Sequence, residues 1–298
     1  MAPQGVVGLG TNLTGETWGI PGTTFLVLYL LLAVTATVPA LWHRSRIAAG
    51  DPAGRRVLDG RPEDVAYLNS GPGLAVYAAL SAMHVDGTVV TSDRTTGQVR
   101  AGGPLTRSAT DLQRAIHRSA HRLTPRRTLP THTAVRTELD RIAHRLETAG
   151  LLLDQAGQHR YRAAAVLPGL VAALGIARIT AGSVNGRPVG ILTALCLVMV
   201  GLTIAFLLRA PRRTRAGDAA LHRIRQEHDT LAPSMRPDWT AIGPAGAALS
   251  VGAFGLGAMV AAEPAFAEEL AAQQPAALGD SGPGGGATAA TAGGGAGG

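Results

Sequence analysis

His117 and His121 stand four residues apart in RSATDLQRAIHRSAHRLTPRR, so on a helix both rings leave one face at the spacing a metal ion needs. No acidic residue follows His117 in the order a zinc protease requires, and Arg118 and Arg122 beside the pair repel a cation. The pair is read as a solvated helix face, with no metal or cofactor expected. GPGGGATA near the end has the glycines of a phosphate-binding loop without the strand before it or the helix after it. The single cysteine, Cys196, lies inside an apolar stretch, which removes intrachain disulfides and cysteine-based zinc sites. No nucleophile elbow or paired-carboxylate pattern stands out. The chain is not read as an enzyme, and no catalytic residue is assigned.

The elements that position these groups are dominated by apolar runs. Charged residues make up 16% and aromatics 4%, a balance unlike that of an ordinary soluble enzyme. Crossing a hydrocarbon core of roughly 30 Å takes about 20 mostly apolar helical residues, because backbone polar groups must be satisfied within the segment. Residues 23–42, 163–183 and 188–208 meet that test, the last two joined by the turn SVNGR. Trp42 and Arg44 read as an interface anchor, and Arg178, near the far end of the second span, is expected to snorkel toward water. Residues 240–262 are uncharged and built from Ala and Gly, with small residues such as Gly246, Ser250 and Gly257 offering a close-packing face. They are expected to form a fourth span.

Arginine placement gives the orientation. All 27 basic residues are Arg; 18 fall in 43–162 and seven in 209–238, while the tails 1–22 and 263–298 hold none. The positive-inside rule places both Arg-rich segments in the cytoplasm and, with four crossings, both tails outside. The formal charge of +7 is thus assigned to topology and to anionic lipid rather than to nucleic acid. Arg44, Arg46, Arg209, Arg212, Arg213 and Arg215 are the candidate lipid-facing or topology-setting residues. The outer tail is Gly-rich and expected to be disordered. Ala265-Phe266-Ala267 before it has the small-x-small pattern of a signal-peptidase site, with Ala265 and Ala267 as its candidate residues.

Within 43–162, a short helix near Glu63 and a second from Pro72 precede TVVTS–DRTTG–QVRA, which reads as two strands around a turn. That order is the outline of a winged helix. Leu139, Ala143, Leu146 and Gly150 followed by LLL repeat the order of Tyr77, Leu80, Met83 and Gly87 followed by TVV, giving two degenerate helix–turn–strand units.

EDVAYLNSGP, HVDGTVV, LETAGLLLD, NGRPVG and RAPRRTRAGDAALHRIRQEH together make the chain resemble an uncharacterised actinobacterial membrane-protein family of the near-uncomplex type, noted for a Gly-rich, low-complexity C-terminal tail. The resemblance implies a membrane protein and carries over no activity. The family tail is often rich in Cys as well as Gly, whereas GGGATAATAGGGAGG has no Cys, so tail thiol chemistry does not carry over.

The sequence thus predicts an all-α helical membrane protein of three to four transmembrane helices with a small α+β, winged-helix-like cytoplasmic domain. It predicts a non-enzymatic interaction or scaffold component of the cell envelope, with the bilayer and a protein as partners. The alternative is a membrane-tethered DNA-binding regulator. A membrane-embedded site built on Arg178 and Arg187 is the remaining class, with few ionisable groups to support it.

Overall fold

The structure, a computed structural model, describes residues 22–91, 98–121, 124–184, 190–209 and 211–271. Among the described residues three helices are long and apolar enough to cross a membrane: α1 (Gly22–Ile47), α7 (Val166–Val184) and α8 (Gly190–Leu208). Apolar on all sides, they have no polar face to give to water. Leu28, Leu31, Leu170, Ile191 and Leu197 point outward as a continuous apolar belt. The inner seam of α1 is Phe25, Tyr29, Ala33 and Ala36, facing Val171 and Ala172 of α7 and Leu192 and Met199 of α8, and then Ala40, which meets Ala165 and Phe206. Gly175 lets α7 close on α1: a Cβ there would lie 2.5 Å from the Tyr29 hydroxyl. Arg178 does not snorkel. It is buried, its guanidinium 4.6 Å over the Phe25 ring.

α6 (Gln155–Ala163) packs on α1 and leads into α7. The other helices form one mainly helical domain: α2 (Pro62–Ser70), α3 (Pro72–Val85), α4 (Asp111–Ser119), α5 (Thr133–Thr148), α9 (Arg215–Glu227), α10 (Trp239–Phe254), α11 (Leu256–Ala262) and α12 (Pro264–Ala271). A three-stranded antiparallel sheet, order β1-β2-β3, joins β1 (Val89–Thr91), β2 (Gln98–Ala101) and β3 (Thr124–Pro125). The expected hairpin is β1–β2, with Val89 opposite Ala101; its tip lies outside the described residues.

Residues 240–262, expected as a fourth span, do not form one continuous helix. The backbone leaves helical geometry at Gly243 (φ 71°), and α10 ends at Gly255 (φ 79°). Between these breaks α10 is the central helix of the domain, packed on α2 and α3 with Ala247, Ala248, Val251 and Ala253 fully buried. Gly252 makes the approach possible, since a Cβ there would lie 2.8 Å from the Pro62 carbonyl. An Ala/Gly helix apolar all round suits an Ala-lined core as well as a bilayer. Here Ala66, Ala75, Ala78 and Ala79 on α2 and α3 supply that lining.

The winged-helix outline is not supported. The helix that would read a DNA groove, α3, is buried at 74–76 and 78–83 between α2, α4 and α10, leaving no face for a duplex. Of the two expected helix–turn–strand units only the first leads into a strand, the second giving an isolated bridge of Leu152 to Arg213, but their helices end alike. Thr88 and Leu151 donate to the carbonyls of Met83 and Leu146, both at 2.9 Å, across Gly87 and Gly150, each at φ 68°.

α12 folds back on the domain, Phe266 stacking on His84 with ring centroids 3.9 Å apart. Ala265 is exposed but Ala267 is buried, and both sit within a helix, so the peptide bond after Ala267 is not offered as an extended loop. The expected tail disorder falls largely on residues 272–298, outside the described ones.

Candidate functional site

Pro62 at the first turn of α2 starts the helix and leaves Glu63 and Asp64 at its positive end. Both carboxylates are buried, at 4% and 2% exposure. Arg145, from the last turn of α5, grips Asp64 with two prongs, Nη2 to Oδ1 at 2.8 Å and Nε to Oδ2 at 3.2 Å. Glu63 Oε1 accepts from Thr110 Oγ1 and Gln113 Nε2, both at 2.8 Å. Thr110 and Gln113 form the capping box of α4, so one carboxylate fixes the start of that helix against α2. Burial pushes the Glu63 carboxyl above the usual range, against the lowering effect of its hydrogen bonds.

This pair floors a polar cleft of about 430 Å³ rimmed by Arg61, Arg114 and Glu138. Two adjoining depressions share Arg145, one toward Asp140 and Arg141, the other toward Arg56 and Asp59. The result is a groove of alternating charge, most of it already paired: Asp111 with Arg114 at 2.8 Å and Glu138 with Arg141 at 2.6 Å.

The six arginines read as lipid-facing divide into two kinds. Arg46 stacks on Trp42 at 4.0 Å, and Arg46, Arg209 and Arg215 are exposed. Arg44 is buried: it donates to the carbonyls of Phe206 and Arg209 at 2.9 and 3.0 Å and lies between the Tyr161 and Phe206 rings. It clamps the end of α8 to α1 instead of meeting lipid. Arg212 lies over Gly71, and Arg213 pairs with Asp218 at 3.1 Å while reaching the Asn69 carbonyl.

The chain returning from α8 enters a joint with the ends of α1 and α5. Thr214 Oγ1 donates to the Gly150 carbonyl at 2.7 Å and caps α9, and Arg215 and Ala216 donate to the carbonyls of Ala48 and Ala49. Nearby, Arg225 bridges the Ala253 carbonyl at 2.7 Å and Asn69 Oδ1 at 3.1 Å, while Asn69 donates to the Gly252 and Ala253 carbonyls. These bonds satisfy the end of α10. His117, by contrast, turns Nε2 to the Gly103 carbonyl at 3.1 Å, its ring edge-on to His121. Among the described residues no three metal-ligating side chains converge.

Three sequence stretches supply these contacts. EDVAYLNSGP supplies Glu63, Asp64 and Asn69, LETAGLLLD supplies Gly150, and RAPRRTRAGDAALHRIRQEH supplies Thr214 and Arg225. The chain matches no protein-family model, no curated protein and no solved structure.

Proposed function

We propose that this chain is a multi-pass protein of the cell membrane, akin to the uncharacterised actinobacterial family it resembles, that works without catalysis as an interaction component of the envelope. Its domain lies on the cytoplasmic face, where the Arg-rich segments belong, and a protein partner docks along the groove that meets at Arg145. The groove carries the proposal. Most of its acids and arginines are held in pairs, so it offers a partner a largely fixed charge pattern. The joint at Thr214 and Gly150 supports the same reading, because it ties the position of that groove to the bundle.

A photo-crosslinking side chain placed at Arg114 or Arg141 in the full-length protein, in its own cells, tests the proposal. A discrete adduct is expected at both sites, and Arg56→Glu with Arg145 left intact should weaken it. No adduct at either site, at normal expression, would overturn the docking role.

A further inference from the structure

A separate cleft of about 430 Å³ opens where α1 meets the domain and α6 leads into α7. Its walls carry His43 and Arg46 from the end of α1, Glu147 from the end of α5, Asp154 capping α6, and Arg160 from the last turn of α6. The joint at Thr214 closes its floor. Neighbouring residues set its level. Trp42, immediately before His43, is 58% exposed, and the outward apolar Val166 and Leu167 begin just after α6. If the bundle spans the bilayer, as proposed above, the cleft sits at the depth of lipid headgroups.

The charges in this cleft stay apart. Other arginines are spent on acids, as Arg145 is on Asp64 and Arg213 on Asp218. Among the described residues Arg46, Arg160, Glu147 and Asp154 make no ion pair. Arg46 is held on the Trp42 ring, and Asp154 spends Oδ1 on the Gly157 N–H at 2.7 Å, keeping its other oxygen. Burial, and then the Asp154 charge, push the Glu147 carboxyl upward, with His144 opposing. The volume falls in the range of small-molecule sites. A purely anionic ligand would satisfy the arginines and leave the two carboxylates beside it uncompensated. A quaternary ammonium would bring positive charge without an N–H to donate. A phosphodiester joined to a primary ammonium meets both needs.

We infer that this cleft seats the headgroup of a phosphoethanolamine phospholipid, its phosphate held by Arg46 and Arg160 and its ammonium by Glu147 and Asp154. The inference rests on the membrane reading, and the test separates the two.

The full-length protein is reconstituted into vesicles of phosphatidylcholine alone, or with phosphatidylethanolamine or phosphatidylglycerol, floated, gently extracted and weighed intact. Retained phosphatidylethanolamine should exceed either other lipid by at least about tenfold. Glu147→Gln, isosteric and at a half-buried site, should remove most of that preference while the protein still floats, and Arg160→Gln should lower retention of all three lipids. Soluble glycerophosphoethanolamine, added to phosphatidylcholine vesicles, should bind far more weakly than the lipid. Equal retention of phosphatidylglycerol, an unchanged preference in Glu147→Gln, or equal binding of the soluble ester would each overturn the headgroup site. Failure to float with any vesicle would overturn the membrane reading itself.

Discussion

Arg44 meets Phe206 twice: its Nη1 donates to the Phe206 carbonyl at 2.9 Å, and its guanidinium carbon lies 4.0 Å over the Phe206 ring. A cation at the C-terminal end of α8 is favoured by the helix dipole, and the planar fork reaches a second carbonyl, that of Arg209. Arg44→Ala should therefore cost about 2–4 kcal/mol in denaturant titration of the full chain in lipid-free detergent. Arg44→Lys keeps the charge but not the fork, and should recover less than half of the loss. Arg46→Ala, at an exposed position, should stay within about 0.5 kcal/mol.

The joint makes a sharper steric prediction. Gly50 has φ 69°, and a Cβ on it would lie 2.3 Å from both the Gly150 carbonyl oxygen and Thr214 Oγ1. Gly60 has nearly the same backbone, φ 68°, with nothing within 4 Å. Gly60→Ala should show the left-handed strain alone, about 1–2 kcal/mol, whereas Gly50→Ala adds a clash with backbone and should cost clearly more. Equal losses in thermal unfolding would mean that the three strands of chain at the joint are not packed as described.

Glu63 gives a pH dependence of definite sign. Its folded pKa is raised, chiefly by burial, so its contribution to stability is fully present below the ordinary glutamate pKa and is lost as pH rises through the folded value. Glu63→Gln should erase that part of the pH slope and, at neutral pH, leave stability unchanged or higher, since its carbonyl can still accept from Thr110 and Gln113. Glu63→Ala leaves those two donors without a partner and should cost about 1–3 kcal/mol at every pH. Unfolding midpoints of the three proteins between pH 4 and about 8 decide it.

What the sequence disclosed follows from how local each signal is. α1, α7 and α8 announce themselves because every turn is apolar. The carboxylate pair was invisible: Thr110, Gln113 and Arg145 lie 47, 50 and 81 residues from their acids, and no spacing rule reaches that far. Arg44 reads in sequence as an interface anchor beside Trp42, because its partners Tyr161 and Phe206 belong to other helices. The 240–262 segment did carry a local warning. Gly243 before Pro244, and Gly255, are breakers that a continuous membrane helix has little use for, and both take positive φ.

The fate of that segment yields the last prediction. With three crossings the termini fall on opposite sides, so reporters joined after residues 225 and 285 should read alike and match one at residue 120, while a reporter at residue 10 reads opposite. The physical case lies in the polar groups that α10 satisfies inside the domain. Ser250 Oγ donates to the Leu231 carbonyl at 2.9 Å, and Asn69 and Arg225 both end on carbonyls at its C-terminus. Moving α10 into a bilayer would strip each of these partners, at about 1–3 kcal/mol apiece, and would open the Ala-lined faces of α2 and α3 to water. Burial and the Arg213 charge already hold the Arg225 guanidinium below its usual pKa, so its loss of the Ala253 carbonyl would be felt most. A reporter at 285 that sides with residue 10 would show that 240–262 crosses the membrane after all, and the packed domain would then have to be abandoned.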